Sequence, residues 1–201
     1  MRPGQAAVEP AAGLAERFGR PLPVEFYARR TTTVARALVG AWLVVRAGEA
    51  YAAARIVETE AYVANDPPNH ADRGETPRNH SMFAGPGTLY VYRIHQVHCA
   101  NAVTARGQAV LLRAAEPLTR ALPGLSGPGR LCRGLGLDRS DDGTSLTSGR
   151  IRIVPGDRSP TRIRTTSRVG VSSAIERPLR FVWDGHPDVS APRPWRRSRV
   201  T

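Results

Sequence analysis

Between Trp42 and Ala114 the chain is built from five short runs, Trp42–Arg46, Ala53–Tyr62, Thr88–Ile94, Val97–Thr104 and Ala109–Ala114. They are rich in β-branched and aromatic residues, and Gly, Pro and Asn separate them. Such runs read as strands, because branched and aromatic side chains fit a pleated surface and the separating residues supply turn geometry. The middle of the molecule is therefore predicted to be a sheet, and neither a repeat array nor a coiled coil fits. Thr31–Thr33 can cap a short helix over Val34–Val39 that Gly40 ends, and the glycine-rich stretch Gly124–Gly136 carries another around Arg130–Leu135. A last strand pair is predicted from Ile151–Val154 and Leu179–Asp184. A chain of 201 residues, 41% hydrophobic, suits one domain with a sizeable core, or at most two very small ones. Residues 1–21, with six Gly and Pro and no aromatic before Phe18, read as a flexible N-terminal arm. Residues 22–190 then form the domain and 191–201 a basic tail, within the Pro- and Arg-rich stretch His186–Thr201.

The charge is lopsided: 29 basic residues stand against 17 acidic ones for a net +12, and Lys is absent. A lysine nucleophile or Schiff base is thereby excluded. Residues 150–201 hold 12 Arg against 4 acids, which makes the C-terminal quarter the strongest footprint for a polyanion. A merely solvated basic tail would have the same composition. The longest apolar run, Ala37–Val45, is far shorter than the roughly 20 residues of a spanning helix, and the first 25 residues hold no hydrophobic signal segment. A cytoplasmic protein without a membrane partner is expected. Cys99 and Cys132 show no CxxC spacing, so two free thiols are expected rather than a disulfide framework or zinc ribbon. His95, His98 and Cys99, with His70 or His80, form an HxxHC pattern on a predicted strand with no fixed fourth ligand; no metal and no cofactor are expected.

The segment Arg55-Ile-Val-Glu-Thr-Glu-Ala-Tyr62 carries the chemistry. In a regular strand, alternation puts Glu58, Glu60 and Tyr62 on one face and Thr59 and Ala61 on the other. Two carboxylates so close raise one pKa, and a carboxylate beside an aromatic face suits a general base for water. An edge strand with a solvated polar face gives the same spacing. Tyr90 and Tyr92 also point one way. A tyrosine on each of two neighbouring strands can sandwich a purine taken out of its stack, or can simply pack the sheet. Arg113, at the end of the apolar run Ala109–Leu112, can pair with a carboxylate or hold a water or phosphate beside Glu60.

The chain resembles the alkyladenine, or 3-methyladenine, DNA glycosylase family. The resemblance rests on RIVETEAY at 55–62, His70 before TPRN at 76–79, MF at 82–83, PGTLYVY at 86–92, CAN at 99–101 and LLRAAEPL at 111–118. It continues in SGPGRLC at 126–132, RVGV at 168–171 and RPLRF at 177–181. These stand in family order over about Leu22 to Ser190. The resemblance implies a mixed α/β (α+β) single domain, a curved antiparallel β-sheet with flanking short helices, and no metal. It implies a monomeric, monofunctional enzyme acting on double-stranded DNA with a damaged purine. Glu60 would be the general base on the attacking water, and its charge would favour an oxocarbenium-like transition state. Arg113 would help hold the water. The flipped base would stack on Tyr62 with His70 and Tyr92 on its other face, and Asn101 would disfavour guanine's exocyclic amino group. An alkylated purine is already cationic and leaves without a proton donor, whereas hypoxanthine needs protonation.

The wedge segment departs from the family. Where a Tyr-Gly-Met-like wedge is usual, this chain has His95, Gln96 and Val97 and is one residue short. Two other readings are kept. A catalytically inactive damage-binding module would keep the fold and the Arg-rich surface. A helix-hairpin-helix glycosylase would use Leu122-Pro-Gly-Leu125 as its hairpin and Asp138 or Asp141 as base, although Gly127, Pro128 and Gly129 would spoil the second helix. Gly129–Leu131 at a helix start could instead bind a phosphate.

Overall fold

In the computed structural model, which describes residues 9–10, 18–48, 50–94, 96–120 and 122–191, the longest strand organises the chain. This strand, β3 (Ala50–Tyr62), is buried except at its two ends. Its alanine-rich first half has little side-chain bulk, and no Gly or Pro interrupts the ladder. One edge takes β6 (Gln108–Pro117), opposite residues 54–62. The other edge is shared by β2 (Trp42–Ala47), opposite 50–55, and β10 (Arg180–Trp183), opposite 58–60. The sheet continues from β6 through β5 (Val97–Ala105) to β4 (Leu89–Ile94). It also continues from β10 to β9 (Ile163–Thr166), and from β2 to β8 (Ile151–Val154). Two-residue strands β1 (Glu9–Pro10) and β7 (Leu125–Ser126) extend β3 and β6. These pairings are all antiparallel, and the sheet curls into a half-barrel, giving one mixed α/β domain made mostly of strands.

Helices α1 (Val24–Tyr27), α2 (Thr31–Leu38) and α3 (Pro128–Leu135) flank the sheet. Val34, Ala35 and Leu38 of α2 and Leu131, Cys132 and Leu135 of α3 join Ile56, Leu89, Val110 and Leu112 in the main core. The predicted cap at Thr31–Thr33 is instead the first turn of α2, and no side chain caps it. Thr31 Oγ1 bonds to Thr104 Oγ1 (2.9 Å) and donates to Gln108 (3.0 Å), so a tertiary contact takes the hydroxyl from the helix start. Where α2 ends, Gly40 adopts φ +100°, and a Cβ at Gly156 would lie 1.8 Å from the Gly40 carbonyl oxygen. Only glycine permits that crossing.

The predicted pairing of Ile151–Val154 with Leu179–Asp184 is corrected. Both segments form strands, but β8 pairs with β2 and β10 with β3. The partner that β10 takes on its other edge, β9, gave little sequence signal: it is four residues long with two of them exposed. In the expected N-terminal arm, Glu9–Pro10 pairs with β3, and Phe18 sits edge-on to Trp42 with ring centroids 5.3 Å apart. Residues 1–8, 11–17 and the basic tail from 192 lie outside the described residues. The stretch before that tail is packed, since Ser190 is buried. Among the described residues no helix is long and apolar enough to cross a membrane.

Candidate active site

An irregularity in β3 aims the carboxylates. Ala52, Ala54 and Ile56 point into the main core, and continued alternation would send Glu58, Glu60 and Tyr62 there as well. The register breaks between Ile56 and Glu58 and again between Glu58 and Thr59. Beyond it the odd-numbered Thr59 and Ala61 face inward, with Thr59 Oγ1 donating to the Ala35 carbonyl of α2 (2.8 Å). Strand β6 changes phase at the same level: Val110 and Leu112 face the core, then Ala115 does. The pairings Ile56–Ala115 and Glu60–Leu111 keep the same offset, so the irregularities in the two strands compensate. Such bulges re-aim side chains without unzipping a sheet. Here they turn Glu58, Glu60, Tyr62 and Arg113 onto one face.

Glu58 and Glu60 are both fully buried. Glu60 Oε1 accepts the Val169 backbone N–H (2.8 Å), and Oε2 accepts the Tyr62 hydroxyl (3.2 Å). Arg113 Nε lies 2.8 Å from Glu58 Oε1 and 3.5 Å from Glu60 Oε1. Glu58 is further engaged by Arg180 Nε (2.6 Å), the Ser190 N–H (2.7 Å) and the Ser190 hydroxyl (2.9 Å). Burial pushes the Glu60 carboxyl above its ordinary range. Arg113 and the Val169 N–H pull it back, Glu58 adds to the rise, and the Tyr62 hydroxyl opposes it. Burial and the Glu60 charge raise the Tyr62 phenol, which keeps it a proton donor to Glu60.

Glu60, Leu111, Asn101 and Tyr90 form one cross-strand row over β3, β6, β5 and β4. Asn101 is buried, and its amide donates to the Tyr90 (3.0 Å) and Cys99 (3.3 Å) carbonyls, which fixes its orientation. The expectation of tyrosines on neighbouring strands is corrected: β6 and β5 separate Tyr62 from Tyr90 and Tyr92. Nevertheless, Tyr62, Tyr90 and Tyr92 belong to one small apolar cluster with Met82 and Val103. His70 packs edge-to-face on Tyr92, with centroids 4.3 Å apart, and its Nδ1 is 3.1 Å from the Tyr90 hydroxyl. Burial lowers the His70 pKa, which favours a neutral imidazole, and raises Tyr90 to about 12.

The loop carrying His70 is built by asparagines. Asn69 donates to the Val63 (2.8 Å) and Gly107 (2.9 Å) carbonyls, and Asn79 to the His70 (2.9 Å) and Gly74 (3.1 Å) carbonyls. Buried Asp66 anchors the loop base through paired contacts with Arg168, whose guanidinium lies 4.8 Å from the Tyr62 ring centroid. Sequence reasoning gave Val169, Arg168, Arg180 and Asn79 no role, although RVGV, RPLRF and TPRN contain them. Ser190 and Asp66 had no signal. A cleft of about 820 Å³ borders His70, Tyr90 and Tyr92 and is lined by Arg73, Arg78 and Arg93. Glu60, Tyr62, Asn101 and Arg113 do not line it.

Of the wedge candidates, His95 lies outside the described residues. Gln96 is exposed with φ +64° in the turn closed by the Ile94–Val97 pair, and Val97 is half-buried at the start of β5. A Cβ on Gly129 would lie 2.9 Å from Val97 Cβ, so this glycine serves close packing of α3 on β5. The hairpin reading of Leu122–Leu125 is corrected, because Leu125 enters β7 beside β6 rather than a turn between two helices. Asp138 and Asp141 instead close a capping box, with Asp141 also paired to Arg150 (2.6 Å). Among the described residues no three His, Cys, Asp or Glu side chains converge as a metal-ligand set.

The sequence profile of the methylpurine-DNA glycosylase family matches residues 25–187. A protein of Methanoculleus marisnigri is 43% identical over 189 residues, covering 84% of this chain and 98% of its own. One from Anaeromyxobacter dehalogenans strain 2CP-1 is 46% identical over 182 residues, covering 86% and 87%. One from Agrobacterium fabrum is 42% identical over 188, covering 87% and 95%. Each bears the name "Putative 3-methyladenine DNA glycosylase". Since the matched stretch runs from α1 to beyond β10 and so takes in Glu60, Arg113, Asn101 and the His70 loop, the chain belongs to the methylpurine-DNA glycosylase family.

Proposed function

We propose that this protein is a monofunctional DNA glycosylase. It flips an alkylated or deaminated purine out of duplex DNA and hydrolyses the N-glycosidic bond, leaving an abasic site. The observation that carries the reading is the environment of Glu60, a fully buried carboxylate with a raised pKa, held by Val169, Tyr62 and Arg113 on the row that holds Asn101. Glu60 takes a proton from a water beside Arg113 as the water oxygen bonds to the sugar carbon. The carbon–nitrogen bond breaks and its electron pair stays on the base, which leaves neutral when it was cationic, whereas a neutral base such as hypoxanthine has to gain a proton to leave neutral. Glu60's charge also favours the oxocarbenium-like transition state. Tyr62 covers one face of the base, His70 and Tyr92 the other, and Asn101 meets the purine edge. His95, with Gln96 and Val97 as the next candidates, fills the gap in the duplex, and the protein acts as a monomer.

A base-release assay tests this on duplexes carrying methylated adenine, hypoxanthine, ethenoadenine or 7-methylguanine. Wild type should release at least one of these bases, and Glu60→Gln should release none while binding the lesion as well or better, because a charge that repels phosphate is gone. Release by Glu60→Gln at near wild-type rate would remove Glu60 from the mechanism. Lesion binding without release by the wild type would leave a damage-binding module.

A further inference from the structure

Arg113 is shared unequally between two carboxylates. Its Nε is 2.8 Å from Glu58 and 3.5 Å from Glu60. A guanidinium tightly paired to Glu60 would occupy the oxygen that must face water and would make it a weaker base. The same Nε is 3.2 Å from Ser190 Oγ, on the Glu58 side. Glu58 is itself fixed: Arg180 and both the N–H and hydroxyl of Ser190 hold its two oxygens. Arg180 Nη2 donates in turn to the Ser190 carbonyl (2.8 Å), closing the ring. A solvated polar face, the alternative open from spacing alone, does not describe a carboxylate with no exposed surface.

We infer that Glu58 is a positioning residue for glycosyl hydrolysis: braced by Arg180 and Ser190, it draws the Arg113 guanidinium off Glu60 and leaves Glu60 free to take a proton from water. This rests on the reading of Glu60 as the base. The charged and titratable groups around Glu60 are Glu58 and Tyr62 on β3, Arg113 on β6, Cys99 on β5, Arg168 before Val169, and Arg180 on β10. Of these cations, Arg113 pairs with both carboxylates, at 2.8 and 3.5 Å, whereas Arg180 pairs with Glu58. With Glu58 neutral, it has one full charge left to pair with.

The test follows single-turnover release of 7-methylguanine from a saturated duplex as a function of pH. This leaving group is cationic, so the acid limb reports the general base. Glu58→Gln should move that limb down by about one pH unit, as Arg113 closes on Glu60. The plateau rate should fall about tenfold with the weaker base. Lesion affinity in a Glu60→Gln background should stay within about twofold, because Glu58 touches no substrate. The decisive comparison repeats Glu58→Gln in an Arg113→Gln background, where the limb shift should shrink to less than half. An undiminished shift there would mean that Glu58 acts on Glu60 only by direct repulsion, and an unmoved limb in the single variant would mean that it does not act at all; either overturns the inference. Should Glu58→Gln not fold, Glu58→Asp decides, because it keeps the charge but shortens the reach to Arg113: a lowered limb supports the inference and an unchanged one ends it. If Glu60→Gln releases base normally, the failure lies in the reading of the base and not in the placing of Arg113.

Discussion

Glu60 has no exposed surface, and burial is the largest cause of its raised pKa. Folding therefore makes this carboxyl hold its proton more tightly than the unfolded chain does. Its contribution to stability is full below the ordinary carboxylate range and is lost as pH rises through the raised pKa. Glu60→Gln removes that loss, so thermal unfolding should show the variant about 3 °C above wild type at pH 8 and level with it at pH 4. A variant less stable than wild type at pH 8 would show that the pairing with Arg113 outweighs desolvation. Asn101 offers a second residue-scale expectation. Its amide is spent on two backbone carbonyls, so it presents a fixed wall rather than an adaptable donor. Asn101→Ser should open the purine edge and raise excision of guanine relative to hypoxanthine by about tenfold. An unchanged ratio would move the discrimination to another residue.

At the scale of elements, two compensating irregularities do what neither strand could do alone. A bulge in β3 by itself would shift its register against β6, whereas a matched break in β6 restores the offset and turns Arg113 outward with Glu58. The packing of α3 on the β4–β5 hairpin is just as close. A methyl on Gly129 would meet Val97 Cβ at 2.9 Å and Cγ1 at 3.1 Å. Gly129→Ala gains helix propensity, about 1 kcal/mol, yet overpacking costs typically 1–3 kcal/mol, so a net loss is expected in denaturant unfolding. Val97→Ala in the same chain should recover most of it. Because Val97 adjoins the Gln96 turn, Gly129→Ala should also weaken lesion binding, and the double variant should restore it. Equal stability of Gly129→Ala and wild type would show that the helix can slide away from β5.

For the whole molecule, composition sets the terms of DNA binding and the end of the reaction. With a net charge of +12, affinity for duplex should be strongly salt-dependent. A titration between 50 and 200 mM salt should show a loss on the order of a hundredfold, the consequence of about four phosphates neutralised. A flat salt response would point to a binding face that excludes the arginines. Since the chain contains no Lys, no side-chain amine can form a Schiff base with the abasic sugar. Borohydride should trap no protein–DNA adduct, and a trapped species would implicate the α-amino group.

The sheet, the two longer helices and the identity of the carboxylate pair were legible in sequence, because these follow from local preference and period-2 alternation. Glu58, Glu60 and Tyr62 do share a face, as alternation requires within five residues of strand. Which face they share was decided elsewhere, by bulges whose position depends on β6, fifty residues away. Alternation traced from Ile56 alone would have buried all three in the core. Strand partners were likewise undetermined: Ile151–Val154 and Arg180–Trp183 each read as strand, but pairing is a choice among edges that only the assembled sheet offers. The supports of the site lay beyond sequence reasoning for the same reason. Ser190 and Asp66 are ordinary polar residues in loops until folding sets them against Glu58 and Arg168 across more than a hundred residues of chain. Sequence supplies the groups that can carry a proton and the faces they can share, while tertiary contact decides how far each cation stands from each carboxylate, and that distance sets how tightly each carboxylate holds its proton.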